Sequence, residues 1–103
     1  MTREARLFHE EVEYSVVDLS VNTTTVFDGP AILFGVYVNT VLTAQVCPIT
    51  DGSTAVITLI ASLAAGQNLT FPGVRFDTSL IVNPDDAATG NIKVLFRKVN
   101  PDN

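Results

Sequence analysis

The chain reads as an all-β protein: a small antiparallel β-sandwich, jelly-roll-like, of about seven to eight strands, with an extended N-terminal arm. Three observations lead there. Short apolar runs recur at roughly 8–12-residue spacing, each bounded by Gly, Pro, Asn, Asp or Ser. One of them, Gly29–Asn39, is apolar at Ile32, Leu33, Phe34, Val36, Tyr37 and Val38 with almost no alternation, and Gly35 in its middle argues against a helix. Such a run is the pattern of a central strand covered on both faces. Finally, Asp51-Gly52 lies between two alternating runs, the strongest short hairpin signal.

The elements follow in order. Residues 1–11 are read as an arm, residues 12–99 as the sandwich and residues 100–103 as a fraying tail. In Val12–Val21, Val12, Tyr14 and Val16 lie in one parity and Val17, Leu19 and Val21 in the other. A bulge or bend is expected near Val16-Val17 to reconcile them. Asn22–Asp28 is Thr-rich and suits an irregular connection or an edge segment. Val41–Ile49 and Thr54–Ala61 form the hairpin. A type I′ turn centred on Asp51-Gly52 sets Val46 opposite Ile57, Ala44 opposite Leu59 and Pro48 opposite Ala55. The remaining positions, Thr43, Gln45, Cys47, Thr54, Val56, Thr58 and Ile60, form a semi-polar, uncharged face. Leu69–Asp77 is a strand whose parity swaps at Pro72-Gly73, the mark of a bulge. Ser79–Val82 and Asn91–Arg97 are expected to pair around a loop, Asn83–Gly90, that begins at Pro84 and ends at Gly90 like a short helical turn.

Composition narrows what such a module does. The 103 residues suit one domain, 47% are hydrophobic and only 17% are charged. Mean hydropathy is +0.32. A small sandwich has too much surface to hide that much apolar side chain alone, so burial between subunits is expected. Between Asp28 and Arg75 the one charged residue is Asp51, which makes the middle of the chain the expected place for core and subunit contact. A net charge of −5 with six dispersed Lys and Arg argues against nucleic acid. Two charge-free stretches, Ala31–Thr50 and Ser53–Pro72, approach membrane-spanning length. Polar residues and Pro48 interrupt them, and no Lys or Arg flanks them, so a membrane partner is not expected. No signal peptide is visible at the N-terminus.

Residues with chemical potential are few. His9, the single histidine, sits beside Glu10 and Glu11 in the arm, away from any rigid scaffold, and is assigned no chemistry. Cys47 is alone and cannot form an internal disulfide; a small buried hydrophobe on a strand is its ordinary role. Asp85 and Asp86 could approach Ca²⁺ with Asn83 or Asn91, but the spacing is not that of an EF-hand. Tyr14, Tyr37 and the six Phe are read as core, with a glycan-stacking platform as the sharper alternative. Neither a cofactor nor a metal is implied, and the expectation is a protein that is not an enzyme.

Two longer segments carry a resemblance. Gly29-Pro30-Ala31 leads into Gly35-Val36-Tyr37-Val38-Asn39-Thr40 and then Ile49-Thr50-Asp51-Gly52, and Phe76–Ile92 continues through Asn83-Pro84-Asp85-Asp86. Together they resemble a group of short uncharacterised proteins of tailed bacteriophages, over roughly residues 29–97. The resemblance implies a β-sandwich virion component, either a capsid decoration (cement) protein or a small head–tail or fibre part, assembled in the host cytoplasm. It carries over no functional residues. The resulting expectation is a homo-oligomer, a trimer, that binds the major capsid protein or another virion protein. Its self-contact is placed on Cys47, Val56, Thr58 and Ile60, and its attachment to the particle on Arg3, Arg6, Leu7, Phe8 and His9. The alternative is a small tail- or fibre-associated module for a glycan or host surface, using loops Ser62–Asn68 and Asn83–Gly90.

Overall fold

The computed structural model describes residues 12–21, 23–43, 46–84 and 87–99. Eight strands occupy them: β1 (Glu13–Asp18), β2 (Thr24–Phe27), β3 (Ala31–Thr40), β4 (Cys47–Asp51), β5 (Thr54–Leu59), β6 (Asn68–Phe76), β7 (Leu80–Val82) and β8 (Asn91–Lys98). Two antiparallel four-stranded sheets result, in the orders β1-β8-β3-β6 and β2-β7-β4-β5. This is the strand order of a jelly roll. The sandwich expected from the sequence is therefore present, with β2 as the edge strand that its Thr-rich sequence suggested. The N-terminal arm lies outside the described residues.

The core is the sum of the inward parities. In the first sheet Val17, Leu33, Val36, Val38, Phe76, Ile92, Val94 and Phe96 are buried; in the second, Cys47, Ile49, Leu59, Leu80 and Val82 face them. Leu42, Leu63 and Ala88 close one end from the connections. Their backbones are tied by Leu42 N donating to Leu63 O, Ser62 N to Thr43 O and Thr43 N to Thr89 O.

β3 is central, between β8 and β6, but it is not covered on both faces. Ala31, Leu33, Val36 and Val38 are buried, whereas Ile32 and Phe34 are half-buried and Tyr37 is exposed. The missing alternation has a different cause. The register against both β8 and β6 shifts between Leu33 and Gly35, so Phe34 and Gly35 are consecutive on the outer side. Against β6 the partner changes from Val74 to Thr70 across this step, which places the bulge at Pro72-Gly73 where the sequence put it. Gly35 makes the step possible: a Cβ there stands 2.8 Å from the backbone oxygen of Leu69.

β1 is regular where a bulge was expected. It pairs with β8 in unbroken register from Glu13↔Phe96 to Asp18↔Asn91. Both parities of β1 are apolar and only one can face the core; Val17 and Leu19 take it, leaving Val12, Tyr14 and Val16 exposed.

The hairpin also differs by one residue. Asp51 pairs with Thr54 across Gly52-Ser53, and Cys47, Pro48 and Ile49 oppose Leu59, Thr58 and Ile57. Gly52 has φ +61° and Ser53 is not in the left-handed region, so the turn has the II′ pattern rather than I′. Moving the turn by one residue leaves the same parities facing each other; it is a further β-bulge between Ile49 and Thr50 that turns Cys47 and Ile49 inward and Val46 outward. Asp51 is diverted to another task. Its carboxylate accepts the backbone N–H of Asp77, Thr78 and Ser79 at 2.9, 2.8 and 3.2 Å, where the chain passes from β6 in one sheet to β7 in the other.

β7 and β8 do not pair with each other. β7 lies between β2 and β4, β8 between β1 and β3, and the 83–90 connection crosses between sheets. The short helical turn expected there falls on Asp85 and Asp86, which lie outside the described residues; Ala87 beside them is in a turn.

Two predictions follow from these constraints. Gly35→Ala forces Cβ against a strand backbone and is expected to cost about 2 kcal/mol, within the usual range for overpacking. An unchanged urea midpoint would show that the strands can part at no cost. For Asp51, hydrogen bonds from Asp77 and Thr78, with a weaker one from Ser79, hold the carboxyl below its ordinary value against a small effect of burial. A folded pKa below the unfolded one, about 3.9, gives stability that is complete above that unfolded value. It is lost as pH falls through the depressed folded value. Asp51→Ala is therefore expected to melt lower than wild type at pH 7, with the gap closing on acidification. A gap that stays constant down to pH 2 would count against the carboxylate's role.

Candidate functional site

The outer face of the β1-β8-β3-β6 sheet holds a cluster in which aromatic rings, a cation and an amide converge. Its layout comes directly from the register. One outward row across the four strands is Val16, Lys93, Tyr37 and Asn68; the next is Tyr14, Leu95, Gly35 and Thr70. Gly35 contributes no side chain to the second row and is itself buried, with Leu95 Cδ1 3.8 Å from the place a Cβ would take. A shallow, open groove of about 590 Å³ is lined by Tyr14, Tyr37, Asn68, Lys93 and Leu95.

Lys93 organises the groove. Its Nζ lies over both tyrosine rings, 5.9 Å from the centroid of Tyr14 and 5.8 Å from that of Tyr37. A cation between two π faces is held by their quadrupoles. The rings remain accessible: Tyr14 is 64% exposed and Tyr37 37%. Further along the same strand Arg97 stacks over Phe34 at 5.8 Å. Neither Lys93 nor Arg97 has a carboxylate partner among the described residues, whereas Arg75 pairs with Asp77 and Lys98 with Glu13. Asp18, opposite Asn91 and two positions along from Lys93, is engaged by the hydroxyl and the backbone N–H of Ser20, which hold its carboxyl below the ordinary range.

The reading of Tyr14 and Tyr37 as core is thus corrected: both stand on the outer face. Phe34 is there too, half-buried, while Phe76 and Phe96 are in the core and Phe27 and Phe71 pack against it. The expected binding loops are only partly involved. Asn68 reaches the groove, but the 62–67 segment is pinned to β3, with Val38 N donating to Gln67 O and Gly66 N donating to Val38 O.

The four residues expected at a subunit contact separate. Val56, Thr58 and Ile60 are exposed on β5 and just beyond it, with Val46 beside β4 also exposed. Cys47 is not with them. It is buried in the core opposite Leu59, because the bulge between Ile49 and Thr50 exchanges the faces of β4. Burial pushes its thiol up to about 11. Arg3, Arg6, Leu7, Phe8 and His9 lie outside the described residues, as do Asp85 and Asp86. Among the described residues no three His, Cys, Asp or Glu gather as metal ligands, and no helix is long and apolar enough to cross a membrane.

No family model, curated protein or solved structure matches the chain.

The position of Cys47 is checked by thiol labelling. At pH 8 the native protein is expected to react with an aromatic disulfide reagent far more slowly than the urea-unfolded chain, since a buried thiol of raised pKa offers almost no thiolate. Equal rates would return Cys47 to the surface.

Proposed function

We propose that the chain is a structural component of a bacteriophage virion, a capsid decoration (cement) protein that acts by self-association and by contact with a capsid or other virion protein. The observation that carries the self-association is the outer strip of the β4–β5 hairpin. Val46, Val56 and Ile60 are exposed there, at 49%, 39% and 66%, beside Thr58 and with no Lys, Arg, Asp or Glu among them. Scattered surface apolar residues are ordinary; an uncharged run of them on the edge strand of a sheet is a surface suited to burial. The sequence resemblance supports placing that assembly in a virion. The jelly roll supports it at the level of analogy, since viral capsid proteins and lectins both use this architecture.

A second reading, a tail- or fibre-associated module for a glycan or host surface, is favoured by the Tyr14–Lys93–Tyr37 groove. The two readings use opposite sheets and do not compete.

Self-association is tested by light scattering on the purified chain. The wild type is expected to be an oligomer, on the proposed reading a trimer, at micromolar concentration. Ile60→Lys is expected to yield a folded monomer, because an unpaired charge in a contact costs several kcal/mol and shifts a micromolar equilibrium by orders of magnitude. A wild type that stays monomeric at high concentration, or an Ile60→Lys oligomer as tight as wild type, would overturn the assignment of this strip.

A further inference from the structure

We infer that the groove on the outer face of the β1-β8-β3-β6 sheet is a binding site for an acidic glycan, a saccharide chain bearing carboxylated pyranose rings. The inference deepens the glycan-binding reading above and is independent of self-association through the other sheet.

Shape and chemistry both point to a sugar. The site is broad and open, of about 590 Å³, within the range of small-ligand sites. Its walls are two tyrosines and Leu95, its polar groups Asn68 and the Lys93 ammonium. An exposed tyrosine offers a flat apolar ring with a hydroxyl at its edge, which matches the apolar C–H face and hydroxyl rim of a pyranose. Asn68 adds one amide donor and acceptor at the same rim.

Charge selects the acidic class. The whole chain carries −5, yet every Lys and Arg among its described residues, Arg75, Lys93, Arg97 and Lys98, lies on β6 or β8 of this one sheet. Two of them are committed to Asp77 and Glu13. Lys93 and Arg97, both outward on β8, have aromatic rings as neighbours and form no ion pair among the described residues. A carboxylate approaching Lys93 from solvent gains a charge-assisted hydrogen bond without displacing an existing ion pair. The sugar bearing that carboxylate lies against Tyr14, the more exposed ring.

The molecule supplies its own probe. It contains no Trp, and Tyr14 and Tyr37 are its two tyrosines, so its tyrosine emission arises wholly in this groove. The test titrates the full chain with trigalacturonate and, in parallel, with the fully methyl-esterified trisaccharide, which keeps the sugar faces and removes the charge. The expected result is a saturable change in tyrosine emission with trigalacturonate at millimolar concentration or below, and at least tenfold weaker binding of the ester. Lys93→Gln is expected to bring the acid down to the level of the ester and to leave the ester unchanged. Tyr14→Ala, a change at an exposed position, is expected to weaken both, read by calorimetry, with the melting temperature showing that each variant is folded. Four results would each overturn the inference. These are no saturable response by about 10 mM, a range that covers weak binding of kcal-scale affinity; equal binding of acid and ester; a Lys93→Gln variant that binds trigalacturonate as wild type does; and a response reproduced in full by sodium acetate. Light scattering on the same samples reports self-association separately, so a failed titration leaves the other reading standing.

Discussion

β3 must pair along most of its length on both sides while presenting a single apolar face to the second sheet. Ala31 and Leu33 satisfy this in one phase and Val36 and Val38 in the other, and the two phases meet only through the step at Phe34-Gly35. The step is built from Gly35, whose missing Cβ lets the Leu69 carbonyl approach, and from the matching bulge at Pro72-Gly73 of β6. Without it, one half of β3 would turn Val36 and Val38 to solvent, since a one-residue slip exchanges faces. The same step decides the outer face. It puts Phe34 and Gly35 side by side and restores Tyr37 to the outward set, opposite Lys93. Core and groove are two sides of one local irregularity.

The second constraint is how the sheets are joined. In the order β1-β8-β3-β6 over β2-β7-β4-β5, only β4 and β5 are sequence neighbours that pair. Every other ladder joins strands distant in the chain, so the connections between sheets must be held by specific contacts rather than by tight turns. Asp51 is one such contact. From the end of β4 it satisfies three backbone donors in the 77–79 segment that carries the chain from β6 to β7. A charged acceptor suits this place, because three converging N–H groups favour the ionised form.

These two features explain which parts of the structure were legible in the sequence. Class and strand positions were readable because alternation and Gly/Pro punctuation are local. The β6 bulge was readable because Pro72 and Gly73 cannot sit in a regular ladder. Pairing was not, since nothing local tells Asn91–Lys98 that its neighbours are β1 and β3 rather than the adjacent Leu80–Val82. The hairpin failed by one residue for a related reason. Asp51-Gly52 fits the centre of a type I′ turn on local grounds, and what moves the turn to Gly52-Ser53 is a contact 26 to 28 residues away. The turn slip alone keeps the faces; the bulge between Ile49 and Thr50, which no Gly or Pro marks, moves Cys47 from surface to core. The groove was hidden by β1, whose two parities are equally apolar. Once Val17 and Leu19 are inside, Tyr14 must be outside, but the sequence does not rank them. The one available signal was Lys93 and Arg97 sharing a parity opposite Ile92, Val94 and Phe96.

The division of charge between the sheets gives the two proposed surfaces a physical relation. Cations cluster on β6 and β8, while the outer strip of β4–β5 is uncharged, so the strip can be desolvated against another copy without burying an unpaired charge. If copies associate through that strip, the opposite sheet of each remains turned away from the contact and keeps its groove open to solvent. A shallow groove with one ammonium and two rings suits weak, rapidly reversible binding at a single site. On the proposed assembly, several such grooves would act together on a repeating polymer, because after the first contact the rest are intramolecular. Avidity then exceeds single-site affinity by about 10²–10⁴ when the spacing permits simultaneous engagement. Assembly and weak recognition are, in this arrangement, complementary demands on opposite faces of the same sandwich.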